Sequence, residues 1–128
     1  MKRVVTDKAP KAIGPYSQAI VYNGTVFVSG QIAINPETNQ FNSDNDIDIQ
    51  TQIIMRNIGS ILSEAGCSYK DIIKTEIFVN DIGKFEIVNK IYGEYFQEEH
   101  KPARQTIEVS NLPKNAKIEI SCIAALNQ

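Results

Sequence analysis

Tryptophan is absent, histidine occurs once and cysteine twice in the 128 residues. Cys67 and Cys122 are far apart and form no CxxC pair, and a single His completes no zinc-type ligand set. Lys2 and Arg3 are not followed by an apolar core, so no secretory signal is expected, and two unpaired thiols then suit a reducing, cytoplasmic setting. No apolar run approaches the ~20 residues of a membrane span. Neither sign of charge dominates: 13 basic and 15 acidic residues are well mixed, with a net charge of −2. No Lys/Arg cluster is dense enough to mark a nucleic-acid footprint. Glycine-rich nucleotide loops, a P-loop, Gly-x-Ser-x-Gly and a Ser/His/Asp set are all missing. Any chemistry is therefore expected to need no metal and no cofactor, and to use Arg, Glu, Ser, Tyr and backbone groups. Hydrophobic content of 42% and charged content of 22%, without repeats or low-complexity stretches, fit one soluble domain over residues 1–128.

What is present reads as an α+β pattern. Residues 17–22 and 25–34 read as strands joined by Asn23-Gly24, a strong hairpin signal. In the second strand Val26, Val28, Ile32 and Ile34 would share one face, and Phe27, Ser29, Gln31 and Ala33 the other. Gly30 interrupts it and predicts a bulge or a close approach to the backbone. Residues 46–65 carry Ile47, Thr51, Ile54, Ile58, Ile61, Leu62 and Ala65 at helical spacing, with Asp residues at the start and Gly66 at the end. Residues 72–80 alternate as a strand, and 85–99 read as a second helix bearing Phe85, Val88, Tyr92, Tyr95 and Phe96. Two helices and about five or six strands predict a two-layer sandwich, with both helices on one face of a mixed sheet.

Residues 102–120 read as a closing β-hairpin, with Ser110, Asn111, Pro113 and Asn115 supplying turn chemistry. Arg104, Thr106 and Glu108 point one way on its first run; Glu119 and Ser121 share a face on its second. Folding about Asn111 and Leu112 would set Arg104 opposite or near Glu119. Two readings of that pair stand: a carboxylate clamp beside a general acid/base, or a cross-strand ion pair on a wet surface. The uncovered sheet face would hold these charges together with Ile123 and Phe27 or Phe78, a mixture that suits a subunit interface.

Singly, the remaining strings favour plain structural readings. Gly14-Pro15-Tyr16-Ser17-Gln18-Ala19 reads as a turn before a strand. Ser29-Gly30 reads as a bulge that also offers a hydroxyl and bare backbone to an anion. Asn89 lies inside the second helix beside its apolar stripe. His100 reads as surface, and neither Cys67 nor Cys122 has the surroundings of a nucleophile.

Together with Phe78-Val79-Asn80-Asp81, Val88-Asn89 followed by Tyr92, Pro102-Ala103-Arg104, and Leu112-Pro113-Lys114 followed by Lys117-Ile118-Glu119-Ile120, these strings resemble the RidA (YjgF-type, reactive intermediate deaminase A) family. They run in order from residue 14 to residue 120, nearly the whole chain. The resemblance implies a chorismate-mutase-like fold and a homotrimer with clefts between subunits. It also implies hydrolysis of enamine/imine intermediates, such as 2-iminobutanoate and 2-iminopropanoate, to 2-keto acids and ammonia. By position, Arg104 resembles the residue that grips the substrate carboxylate and Glu119 the acid/base that handles water. Ser29, Gly30, Tyr16 and Asn89 resemble further substrate-binding residues. Thr106 stands where many members carry Cys, so a backbone role there would be kept and a thiol role would not.

Two other functions compete with deamination. One is a regulatory protein that binds small carboxylates in the same cleft without turnover. The other is a ribonuclease, a reading that the acidic balance and the lone His disfavour.

Overall fold

A computed structural model describes residues 1–126. The chain opens with β1 (Lys2–Val4), an edge strand that the mixed composition of residues 1–16 does not announce. It pairs antiparallel with β2 (Ala19–Tyr22), which turns into β3 (Thr25–Gln31). Asn23 and Gly24 take φ of 49° and 70°, the two left-handed residues that a tight hairpin turn needs. A small separate ribbon follows, β4 (Ile34–Asn35) with β5 (Gln40–Phe41).

Helix α1 (Ile47–Ala65) buries Ile47, Thr51, Ile54, Met55, Ile58, Ile61 and Leu62, and packs on β3 and on the last strand, β8 (Ile118–Ala125). Asp46 makes no side-chain cap bond. Burial, worth about 1.5–3 kcal/mol for each large side chain, therefore does more than capping to hold the helix. Its other end stops where Gly66 adopts φ 91°, with Cys67 N–H donating to Leu62 O at 2.8 Å and Gly66 N–H to Ser63 O at 3.1 Å.

Between these elements lie β6 (Ile72–Val79), α2 (Phe85–Gly93) and β7 (Ala103–Glu108). α2 is shorter than the 85–99 expected from sequence. After Gly93 the chain tightens, with Glu94, Tyr95 and Phe96 N–H each donating to the carbonyl three residues back. Tyr95 and Phe96 thus lie beyond the helix, packed with Tyr69 and Tyr92.

The largest correction concerns the closing hairpin. Among the described residues six strands form one sheet in the order β1-β2-β3-β8-β6-β7. β7 pairs parallel with β6, whereas β8 pairs antiparallel with β6 on its other side and with β3. The expected hairpin is absent because β6 separates its two strands. The path β6–α2–β7 is a crossover unit, the connection that parallel neighbours require. The segment after β7 then carries the chain across to β8. Arg104 sits opposite Thr75, Thr106 opposite Ile77, and Glu108 opposite Val79; Thr75, Ile77 and Val79 all point into the helix-covered core. Arg104, Thr106 and Glu108 therefore belong to the helix side, not to the uncovered face. That face carries Gln105, Ile107, Glu76, Phe78, Glu119, Ser121, Ile123 and Phe27.

The bulge expected at Gly30 is present. Val28 pairs with Cys122 and Gln31 with Ile120, so β3 carries one extra residue. The extra residue shifts the alternation. Gln31 is buried on the core side rather than with Phe27, and Ile32 and Ala33 are both buried beyond the strand end.

Candidate functional site

The candidate residues fall into two groups. The first surrounds Arg104 on edge strand β7. Arg104 Nη1 donates to Asn89 Oδ1 at 2.6 Å, and its guanidinium carbon lies 5.3 Å from the ring centroids of both Phe85 and Tyr92. Phe85, Asn89 and Tyr92 stand at i, i+4 and i+7, one face of α2. Tyr92 is buried, and its hydroxyl shares a 2.7 Å hydrogen bond with Thr75 Oγ1. Burial pushes the Tyr92 phenol above its ordinary value, and outweighs the opposing pull of the Thr75 bond and Arg104. Among the described residues no carboxylate forms an ion pair with Arg104. Its charge is held by a neutral amide and two rings, so it stays available to an anion.

Thr106 lies two residues along the same strand, and its Oγ1 is shielded from solvent without a hydrogen-bond partner. Glu108 serves the fold here: its Oε1 accepts from Ile82 N–H at 2.8 Å and steadies the turn that leads into α2.

The second group surrounds Glu119. The bulge brings Gly30 under its carboxyl, where a β-carbon on residue 30 would stand 2.5 Å from Glu119 Oε2. The close approach expected at Gly30 is thus made by Glu119. Burial raises the Glu119 carboxyl above the ordinary value of 4.5. Ser29 contributes differently from expectation. Its hydroxyl donates to Ser17 O at 2.6 Å and its N–H to Gln18 O at 3.0 Å, so both donors are spent on β2's approach. Only the lone pairs of the hydroxyl remain free to accept. Tyr16, 51% exposed, stands at the same cleft, which encloses about 690 Å³ and is lined also by Lys11, Ile13 and Lys114.

Tyr16, Ser29, Gly30 and Glu119 thus gather at one cleft, and Asn89, Arg104 and Thr106 at another place. The expected Arg104–Glu119 juxtaposition does not occur within one chain. Their rungs on β6, Thr75 and Phe78, are offset by roughly 10 Å along the strand and point to opposite faces. His100 remains at the surface, in the turn Glu98–His100. Burial pushes the Cys122 thiol up to about 12 and raises Cys67 as well, so neither is an active nucleophile. Among the described residues no group of three or more His, Cys, Asp or Glu is placed to hold a metal ion, and no helix is long and apolar enough to cross a membrane. Sequence reasoning missed Phe85 and Tyr92 as partners of Arg104 and read them as packing stripe. Their shared face with Asn89 was the available signal.

A mixed sheet with two helices on one face, a caged arginine on its edge strand and a glutamate seated on a strand bulge define an α+β protein. The family model described as Endoribonuclease L-PSP matches residues 6–126, and the chain belongs to this family, the RidA/YjgF family. The chain is 48% identical over 123 residues to Reactive Intermediate Deaminase A, chloroplastic, of Arabidopsis thaliana, covering 96% of this chain and 65% of that protein. It is 42% identical over 125 residues to the human 2-iminobutanoate/2-iminopropanoate deaminase, covering 97% of this chain and 90% of the human one. The crystal structure of E. coli TdcF with bound serine superposes with a TM-score of 0.91 at 37% identity, covering 99% of this chain and 100% of TdcF. Other relatives, such as one from Synechocystis, carry only the name RutC family protein.

Proposed function

We propose that this protein hydrolyses small 2-imino acids, 2-iminobutanoate and 2-iminopropanoate, to 2-keto acids and ammonia. The observation that carries this reading is the Arg104 guanidinium, oriented by Asn89, Phe85 and Tyr92 yet paired with no carboxylate among the described residues. Such a group suits the carboxylate of an imino acid and thereby locates the neighbouring C=N carbon. Glu119 takes a proton from water as the oxygen bonds to that carbon and the C=N electron pair moves to nitrogen. Glu119 returns that proton to nitrogen, giving the neutral carbinolamine. It then takes the second proton from the carbinolamine hydroxyl as C=O forms, and delivers it to nitrogen as C–N breaks and ammonia leaves. A half-buried carboxyl with a raised pKa is suited to both halves of this exchange. The balance closes with one water consumed and no cofactor.

Arg104 and Glu119 are too far apart to serve one substrate in a single chain, so the reading requires Arg104 of one copy to meet Glu119 of a neighbour in a homotrimer. The uncovered sheet face supports this assembly: Phe27 is 45% and Ile107 40% exposed there, beside Phe78 and Ile123. Tyr16, Ser29 and Gly30 would wall the cleft on the Glu119 side, and Asn89 and Thr106 on the Arg104 side. The buried thiols Cys67 and Cys122 suit a cytoplasmic location.

The test is ammonia and keto-acid release when a threonine dehydratase generates the imine in the same cuvette. Acceleration over spontaneous decay, lost in Arg104→Ala, supports the reading; folded protein without acceleration overturns it. The serine bound to TdcF favours a second reading, a small-carboxylate binder without turnover. Saturable binding of serine or 2-oxobutanoate with no acceleration would select it.

A further inference from the structure

We infer that Phe85 and Tyr92 are positioning residues that hold the Arg104 guanidinium in one orientation for an incoming carboxylate, and that Thr75 fixes Tyr92 in turn. The inference rests on the carboxylate-binding role proposed for Arg104.

Arg104 is exposed on an edge strand, where a long side chain ordinarily samples many rotamers. Here three groups of one helix face converge on it: Asn89 Oδ1 at 2.6 Å, and the Phe85 and Tyr92 rings with centroids at 5.3 Å. A single hydrogen bond leaves the guanidinium plane free to pivot about it. Two rings restrict that pivot while leaving the charge unneutralised. A carboxylate or phenolate in their place would orient the arginine equally well and abolish its use as an anion site.

The Tyr92 ring is not free to drift either. It is 6% exposed, and its hydroxyl is bound to Thr75, which is 1% exposed. Thr75 is itself the β6 residue directly opposite Arg104 in the parallel ladder. The contacts therefore close a loop: Arg104 to the Tyr92 ring, Tyr92 hydroxyl to Thr75, and Thr75 across the strand pair back to Arg104. Such a loop fixes the arginine before ligand arrives and reduces the ordering cost of binding.

The experiment uses the full-length protein as wild type, Phe85→Leu, Phe85→Tyr and Tyr92→Phe. Two readouts are taken: binding of 2-oxobutanoate with kcat and KM in the dehydratase-coupled assay, and the arginine side-chain NMR signals of Arg104 without ligand. Phe85 is half-buried at the first position of α2, so Phe85→Leu is expected to fold, as checked by its melting curve. Losing one cation–π contact is expected to raise Kd and KM about five- to tenfold with kcat within about twofold. The Arg104 Nε–H resonance should lose the Phe85 share of its ring-current displacement in Phe85→Leu. Phe85→Tyr should restore both readouts, and Tyr92→Phe, which keeps the ring, should weaken binding only about two- to threefold. Wild-type Kd, KM and Arg104 signal in folded Phe85→Leu would overturn the inference. Ring-displaced Arg104 signals in a wild type that neither binds nor turns over would overturn the carboxylate role while leaving the arginine cage intact.

Discussion

Glu119 rests its carboxyl against the α-carbon of Gly30, in space that any side chain on residue 30 would fill. A β-carbon there would lie 2.5 Å from Oε2, 3.0 Å from Cδ and 3.3 Å from Cγ of Glu119. The obstacle is the far end of one side chain, not backbone, so the carboxyl can swing away at modest cost. Gly30→Ala is therefore expected to fold with stability within about 1 kcal/mol of wild type. Deaminase activity should fall by ~10²-fold, because the acid/base is displaced from its working position. Thermal melts and the coupled assay on one preparation separate the two effects. Equal losses in both would mean that the contact serves packing alone.

The raised pKa of Glu119 has two consequences of opposite sign. Burial disfavours the carboxylate, so the folded state favours the proton more than the unfolded chain does. The stabilisation this represents is complete below the ordinary glutamate value of 4.5 and is lost as pH rises through the higher folded value. Glu119→Gln, permanently neutral, should melt higher than wild type at pH 7, with the two curves converging below that range. Activity runs the other way: kcat/KM should fall on acidification along a limb set above the ordinary glutamate value, as the base becomes protonated. Melts and rate profiles across pH 4–8 check both, and a limb at or below the ordinary value would remove Glu119 as the base.

A site shared between copies predicts complementation. Arg104→Ala and Glu119→Gln should each be inactive as homo-oligomers. Mixed after co-refolding, they should form hybrids in which an intact Arg104 faces an intact Glu119, and recover a fraction of wild-type turnover. Light scattering should report a trimer for each protein. Recovery of no activity from proven hybrids would overturn the shared site.

The elements legible in the sequence are those decided locally. The apolar stripe of α1, the Asn23-Gly24 turn and the Gly30 bulge each follow from residues within a few positions of one another. The pairing of β7 and β8 does not. Alternation followed by Ser110, Asn111 and Pro113 looks the same whether the chain turns back beside itself or steps across β6. The choice is made by burial. β7 offers one large apolar side chain, Ile107, and is exposed along almost its whole length, as suits an edge. β8 buries Ile118, Ile120, Cys122 and Ala124, and needs a central place beneath α1. The same non-local choice put Arg104 and Glu119 on opposite faces. The identities of the candidate residues were legible in order along the chain; their division into two groups was not. Phe85 and Tyr92 escaped because a ring on a helix stripe becomes an arginine's partner only once a distant strand is docked beside it.

Neutrality of the group holding Arg104 is itself testable. Asn89→Asp changes one atom in shape and adds a negative charge at 2.6 Å from the Arg104 Nη1 donor. An internal ion pair should form and compete with the substrate carboxylate. KM for the imine and Kd for 2-oxobutanoate are expected to rise at least about tenfold, the equivalent of about 1.4 kcal/mol, with little change in melting temperature. Affinity that survives this substitution would mean that Arg104 is not the carboxylate's partner.

Thr106 separates side-chain from backbone roles. Its hydroxyl is sealed from solvent and bonded to nothing, a state that costs about 1–3 kcal/mol for a buried polar group. Val has nearly the same shape, carries no polar atom and suits a strand. Thr106→Val is therefore expected to stabilise the protein by about 1 kcal/mol, seen as a higher denaturant midpoint at unchanged slope. β7 is an edge strand, so part of its backbone N–H and C=O groups faces away from β6 and stays available to a ligand. If residue 106 contributes through that backbone, Thr106→Val keeps the wild-type KM. A tenfold rise in KM together with a gain in stability would instead assign the idle hydroxyl to the substrate, its missing partner supplied only when the site is assembled and filled.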